Sequence, residues 1–338
     1  MAGERTGRTI ARYSRTMALC AALGLSLSGC YLIGSKTPHT DAELWVNPET
    51  PAAQQVLQWR QQGRDGDAVA LQWLADQPIA EWIGDAPGIR ARHITESAAR
   101  AGKTPVLVAY HIPYRDCGSH SAGGAAGADG YRKWVKEFAS GIEGRKAIVV
   151  LEPDAVAQAV EGCVPEGLRA ERLGLLKEAV VTLSALPATR VYLDAGHSGW
   201  VKDRARLAEA LRLSGVAQAD GFALNVSNFQ STRISMTYGD QLSEALGGAH
   251  YLVDTSRNGN GPVDPETRAV DRASEREWCN PPGRKLGERP TTRTGFEKAD
   301  AFLWIKRPGE SDGPCNGGPP AGQWWAQYAL GLAQSAGG

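Results

Sequence analysis

The chain predicts an α/β fold, a TIM-like barrel of parallel strands in one domain, and three observations carry that expectation. Seven short β-rich runs are apolar on both faces, as strands buried between two layers are. Segments with helical spacing of apolar residues lie between most of them, and strand followed by helix, repeated, builds a parallel sheet. No Gly-x-Gly-x-x-Gly follows the first run, so a closed or nearly closed barrel fits better than a doubly wound nucleotide-binding sheet. The 338 residues suit one large barrel or two average domains, and their ordinary composition excludes disordered and collagen-like classes.

In chain order, Arg5, Arg8, Arg12 and Arg15 precede an apolar stretch from Met17 to Leu27 and then Ser28-Gly29-Cys30. Basic region, short apolar region and small residues are the order of a signal peptide over residues 1–29. The apolar run is short for a bilayer span. Leu27-Ser28-Gly29-Cys30 resembles the bacterial lipobox, which makes Cys30 the acylated first residue of an exported surface lipoprotein. The alternative is an ordinary signal peptide and a secreted protein. Residues 30–43 read as the lipidated cysteine and a tether, and residues 44–334 as one domain, since no long Pro/Ser/Thr linker follows.

The β-rich runs of that domain are Leu44 to Val46, Val106 to His111, Ala147 to Leu151, Arg190 to Leu193, Gly221 to Val226, Tyr251 to Val253 and Ala301 to Ile305. Tyr131 to Ile142, Leu168 to Leu183 and Arg204 to Leu213 have helical spacing. Trp59, Trp73, Trp82 and Trp134 fall in helix-like stretches and are expected to pack in the core.

Lys plus Arg (37) equals Asp plus Glu (37), so no basic field argues for nucleic acid. Without residues 1–29 the balance is 33 basic to 36 acidic, a mildly acidic exported monomer whose partner is neutral. With Cys20 lost and Cys30 reserved for lipid, Cys117, Cys163, Cys279 and Cys315 remain, and an oxidising compartment makes disulfides the default. Three pairings are possible. The simplest is Cys117–Cys163 with Cys279–Cys315, each closing a medium loop and worth about 2–4 kcal/mol. No Cys-x-x-Cys spacing points to zinc, and no metal or other cofactor is expected.

Polar residues crowd the carboxyl ends of the β-rich runs: Tyr110 and Asp116, Glu152 and Asp154, Asp194 and His197, Asn225 and Asn228, Asp254 and Arg257, Lys306 and Glu310. Any one of them is ordinary, because an Asp after a strand often serves as a helix cap or turn residue. Together they place buried charge at the end of a barrel where active sites sit. Four aspartates, Asp116, Asp154, Asp194 and Asp312, carry the acid–base potential and point to a glycosidase.

Tyr110-His-Ile-Pro-Tyr-Arg-Asp-Cys117, Leu151-Glu-Pro-Asp154, Leu193-Asp-Ala-Gly-His-Ser-Gly-Trp200, Asp254-Thr-Ser-Arg-Asn-Gly-Asn-Gly261, Glu277-Trp-Cys279 and Trp304-Ile-Lys-Arg-Pro-Gly-Glu-Ser-Asp-Gly313 together resemble glycoside hydrolase family 6, the inverting cellulases. The resemblance runs from Trp45 to Tyr328. It implies a distorted seven-stranded barrel that hydrolyses internal β-1,4-glucosidic bonds in cellulose or related β-glucans without a cofactor. Asp154 matches the general acid and Asp116 the carboxylate that supports its raised pKa, with a water relay through Ser227. Asp312 matches a direct base or a substrate-positioning group, and Asp194 an orienting group. For Asp194 and Asp312 the competing reading is a structural ion pair with Arg115, Arg257 or Lys306. Tyr110 matches the residue that crowds the sugar at the cleavage point, and Lys306 and Glu310 match hydroxyl-binding partners. Trp45, Trp200 and Trp278 match indoles laid on glucose faces. Arg115, His197 and Asn228 join the expected binding set, His197 by hydrogen bonding.

The sequence departs from the family in the charged insertion Pro262 to Glu277, expected to roof the cleft or stay mobile, and in Phe229, where a Trp or Tyr is usual. Compact loops otherwise favour internal cleavage. A cellobiohydrolase-type enzyme, a hydrolase of another β-glucan, and a surface protein that binds carbohydrate without turning it over remain the alternatives.

Overall fold

The structure, a computed structural model, describes residues 43–263 and 275–334, all within one compact unit. The leader, Cys30, the tether to Ala42 and most of the charged insertion lie outside the described residues. Helices α1 (Pro51–Gln61) and α2 (Asp65–Ala75) precede strand β1 (Glu81–Ile83). Then α3 (Pro87–Arg100) leads to β2 (Val106–Ala109), α4 (Ala128–Ile142) to β3 (Ala147–Leu151), and α5 (Ala155–Glu161) with α6 (Glu166–Ser184) to β4 (Thr189–Asp194). Next α7 (Arg204–Leu213) leads to β5 (Gly221–Leu224), α8 (Thr232–Ala245) to β6 (His250–Asp254) and the short α9 (Glu275–Trp278) to β7 (Ala299–Leu303), before α10 (Ala326–Gln334).

The seven strands pair in sequence order, each parallel to the next. From the last strand the sheet returns to the first through one parallel bridge, Ile79 to Trp304, in which Ala80 N donates to Trp304 O at 3.0 Å. The barrel therefore has a seam between β7 and β1.

Strand geometry explains the double-sided apolar runs, because successive side chains point to opposite faces. Val106, Val108, Ile148, Val150, Leu252 and Leu303 fill the barrel interior. Their neighbours Leu107, Val149, Leu151 and Leu193 pack outward against Phe138 of α4 and Leu176 and Val180 of α6. A further apolar group joins α1, α2 and α10 around Trp304, covering the seam from outside.

Six of the seven expected strands are present to within two residues at each end, and the three expected helices to within three. The first strand is a correction. Leu44 to Val46 forms no strand; Leu44 makes only an isolated bridge to Thr104. The true β1, three residues long, carries Trp82, so that tryptophan is not helical. Its ring stands edge-on to Tyr110 (5.1 Å, 86°), and Trp82 Nε1 donates to Ile305 O at 2.8 Å across the seam. Trp59 and Trp134 are buried on α1 and α4 as expected, and Trp73 of α2 packs on Trp304.

Both disulfides form as the simplest pairing expects: Cys117 to Cys163 and Cys279 to Cys315, with Cα atoms 6.1 and 6.0 Å apart. They tie the loops bearing Asp116 and Asp312 to neighbouring segments.

Candidate active site

Every expected carboxylate stands at the carboxyl end of the barrel. Asp194 is the last residue of β4 and fully buried. Its Oδ2 accepts from Asp154 N at 2.8 Å and Gly196 N at 3.1 Å, while Oδ1 is buried without a partner. Burial first, and then the Asp254 carboxylate, push its pKa up to about 7 against those stabilising N–H groups. Asp194 thus orients the Asp154 backbone, and among the described residues it forms no ion pair, which removes the structural-pair reading for this residue.

Asp154 follows β3 in a left-handed conformation (φ 71°) that aims its side chain from the start of α5. Burial, then Asp194 and then Asp116 hold its carboxyl well above the usual carboxylate range. The neighbour expected to raise it contributes, but desolvation is the larger cause. Asp116 is itself raised, by burial, against a bond from Ser121 N to its Oδ2 at 2.7 Å and the positive charges of His120 and Arg115.

Arg115 was expected to touch substrate, and its donors are committed elsewhere. Its Nη1 donates to Tyr110 O and its Nε to Ser121 O, both at 2.8 Å, and its guanidinium lies 4.5 Å from the Tyr110 ring centre. Arg115 therefore folds the Asp116 loop back onto Tyr110. The same loop is gripped by Arg172, whose Nη2 reaches Pro113 O at 2.9 Å and Tyr114 O at 2.8 Å.

Asp312 forms the second cluster. It pairs with Arg257 Nη1 at 2.7 Å and with Lys306 Nζ at 3.2 Å, and accepts from Asn280 N at 3.0 Å. Burial alone would raise its pKa, but Arg257 and then Lys306 outweigh this and hold it below the usual range. The ion-pair reading thus describes Asp312. Asp254 links the two clusters: its Oδ2 accepts from Ser227 N and Lys306 N, each at 2.9 Å, and its charge acts on Asp194.

The remaining expected residues divide by exposure. Trp278 keeps 37% of its surface exposed, and Trp200 is half-buried beside His197 at 6.0 Å between rings, so both indoles remain partly accessible. Trp45 is only 8% exposed and packs in the core, which corrects its place as an open sugar platform. Burial pushes the His197 imidazole down to about 4, so it is neutral at ordinary pH and suited to hydrogen bonding. Ser227 and Asn228 are half-buried after β5, and Lys306 and Glu310 are buried after β7. Among the described residues no cluster of His, Cys, Asp or Glu is placed to hold a metal ion.

Backbone strain concentrates here. Positive φ at Tyr114, Asp116, Cys117, Glu152, Asp154, Asn225 and Ser227 falls in the loops after β2, β3 and β5. Such conformations cost about 1–3 kcal/mol each and persist where surrounding contacts over-determine them. Glu152 supplies some of those contacts, with Oε2 accepting from His111 N at 2.9 Å and Ile112 N at 3.0 Å.

Asn280 and His120 escaped sequence reasoning, as did Arg172. Asn280 (φ 49°) donates through Nδ2 to Gly313 O at 2.8 Å and accepts from Asp312 N at 2.8 Å, fixing the aspartate from both sides. Its one signal was an Asn beside a cysteine, a residue that tolerates left-handed backbone. His120 lies 5.8 Å from the Trp278 ring and against Gly313, where a Cβ would come within 2.6 Å of its Cδ2. Nothing in its local sequence marked it.

A parallel barrel whose strand ends gather a buried carboxyl of raised pKa, two neighbouring carboxylates and partly exposed indoles has the site of a carboxylate-type glycoside hydrolase. The comparison with known proteins narrows this. The chain belongs to the glycosyl hydrolases family 6, whose model matches residues 39–336. Endoglucanase A of Cellulomonas fimi is 45% identical over 304 residues, 88% of this chain and 62% of that protein. Endoglucanase 1 of Streptomyces halstedii is 42% identical over 278 residues, 78% of this chain and 81% of that protein. The endoglucanase Cel6 of Mycobacterium tuberculosis, solved with methyl-cellobiosyl-4-deoxy-4-thio-β-D-cellobioside, superposes with a TM-score of 0.81 at 41% identity, covering 90% of this chain and all of that one. The chain thus spans somewhat under two thirds of the first relative and all of the solved one.

Proposed function

We propose that this protein hydrolyses internal β-1,4-glucosidic bonds of cellulose or a related β-glucan with inversion at the anomeric carbon. The observation that carries the reading is Asp154, a buried carboxyl whose pKa is raised by desolvation and by two carboxylate neighbours. A protonated acid beside a glycosidic oxygen is what departure of the leaving sugar needs. The two bacterial relatives and the solved neighbour, all named endoglucanases, support internal cleavage over action from chain ends.

Asp154 gives its proton to the leaving oxygen while water attacks from the opposite face. Asp116 is the better acceptor for the water's proton, because its raised pKa makes it the stronger base; Asp312, held low by two cations, is a weak one. Ser227 stands as a relay group for that water. Asp312 keeps Lys306 and Arg257 in place, and Asp194 fixes the turn that aims Asp154. Tyr110 crowds the reacting ring, Trp200 and Trp278 take sugar faces, and His197, Asn228, Lys306 and Glu310 meet hydroxyls. Proton NMR of a cello-oligosaccharide digest at early times tests the mechanism: the α-anomer is expected first from the β-linkage, and a β-anomeric first product overturns single displacement.

The leader motif supports export with Cys30 as an acylated, membrane-held N-terminus and residues 44–334 as a monomeric catalytic domain. In a bacterium that processes lipoproteins, intact-mass measurement is expected to show a chain starting at an acylated Cys30. A free cysteine there, or cleavage at another residue, removes the anchor.

A further inference from the structure

We propose that Arg307 is a positioning residue that aims Glu310 at the sugar by locking it across the barrel seam. The inference rests on the reading that Glu310 meets a substrate hydroxyl. Arg307 lies just past β7, and its guanidinium is spent on three groups. Nη1 bonds Glu310 Oε1 at 2.6 Å, Nη2 bonds Glu81 Oε2 at 3.1 Å, and Nε donates to Ala80 O at 3.3 Å. Glu81 opens β1, so the fork spans the gap that, among the described residues, backbone pairing crosses at Ile79 and Trp304. The chain of contacts continues, because Glu81 Oε1 accepts from Asn47 Nδ2 at 2.6 Å.

Burial makes this arrangement decisive for geometry. Arg307 keeps 20% of its side-chain surface exposed, and Glu81 and Glu310 keep 11% each. Ion pairs this sheltered are screened far less than surface ones. With Oε1 held by Arg307, rotation of the Glu310 carboxylate is fixed and Oε2 is the oxygen left to present. A planar fork bridges two carboxylates at once, whereas an ammonium is a point charge on a flexible stem. Lysine at this position would hold one glutamate and release the other. Glu310, three residues on, would keep its place in the chain but lose its aim.

A merely structural staple predicts lost stability with unchanged substrate affinity per folded molecule. A positioning role predicts a rise in KM that depends on Glu310. Steady-state kinetics of the full chain on a soluble cello-oligosaccharide separate the two. Arg307→Lys and Glu310→Gln are each expected to raise KM about 10-fold, the scale of one charge-assisted hydrogen bond, with kcat within about twofold. The double variant is expected to be no worse than the weaker-binding single variant, since both remove the same contact. Should Arg307→Lys not fold, Glu81→Gln frees the other arm of the fork, and combined with Glu310→Gln it likewise adds nothing to KM. Multiplying effects, about 100-fold in the double variant, overturn the coupling. A silent Glu310→Gln overturns instead the reading that Glu310 meets the sugar, and the inference with it.

Discussion

Asp154→Ala is expected to lower turnover of an unactivated cello-oligosaccharide by about 10²–10⁴-fold, the range that a positioned proton donor contributes. An aryl cellobioside whose phenol leaves readily needs little protonation and should lose far less. Equal losses on the two substrates would mean that Asp154 is not the acid. The pH profile gives an independent reading of the same group. The acid works only while protonated, so activity falls as pH rises through the pKa of the buried carboxyl cluster. Burial is the first cause of that high value and survives substitution of a neighbour. Asp194→Asn and Asp116→Asn each remove a nearby negative charge, so both should move the basic limb to lower pH, Asp194→Asn the further of the two because its charge is the stronger influence on Asp154. A basic limb that stays in place in both variants contradicts the assignment.

Arg257→Met is expected to destabilise the fold by about 3–5 kcal/mol, the cost of stranding one member of a buried ion pair. Arg257 has no exposed side-chain surface, and Asp312 keeps 7%. Its Nη2 also bonds Ser227 O at 2.5 Å, and its guanidinium lies 4.5 Å from the Phe229 ring centre, so the loops after β5 and β7 share one cation. Phe229, the departure from the usual Trp or Tyr, thus serves as the apolar floor for that cation. Urea unfolding should show a lower midpoint at an unchanged slope. Arg257→Met with Asp312→Leu should recover none of the loss, because Lys306, which pairs with Asp312 at 3.2 Å, is then stranded in its turn. A loss under about 1 kcal/mol would show that Lys306 and Asn280 suffice to hold Asp312. The sign with pH follows from the lowered Asp312 value. The folded state binds fewer protons at this site than the unfolded chain, so the pair's contribution is full above the ordinary carboxylate range near about 4 and is lost as pH falls through the depressed folded value. The wild type should therefore lose more stability than the variant on acidification below that range.

Much of the fold was legible because buried parallel strands leave a plain signature, continuous apolar runs such as Ala147 to Leu151 with helical spacing between them. β1 was not. At three residues, with Glu81 at its start and the amphipathic Trp82 in its middle, it has too little length to show a period, and its place is set by Ile305 and Trp304 far along the chain. The same reason explains Trp45: its neighbours in sequence do not reveal that the first turn of the domain is folded inward. At the site, Asp154, Asp116, Asp194 and Asp312 were legible as carboxylates at strand ends. Their division of labour was not, because a pKa belongs to an environment. One aspartate lies beside two other carboxylates and another between two cations, and only the fold decides which. Arg115 looks like a ligand-binding cation in sequence, yet its donors go to the carbonyls of Tyr110 and Ser121.

The seam has a consequence for how the chain reaches this state. Trp82 and Ile305 are 223 residues apart, and Arg307 and Ala80 are 227 apart. Contacts so distant along the chain are slow to form, since the entropy of closing the loop is lost before the contact returns anything. During synthesis, β2 to β6 have each neighbour at hand soon after they emerge. The first strand must wait for the last before its second edge is covered. Until residues near 305 arrive, β1 is an unpaired edge, and unpaired edges are where chains add to one another. Closure of the barrel is thus a late event governed by the final stretch of the polypeptide, and truncations that remove β7 should yield a sticky, half-wrapped sheet in place of a smaller enzyme.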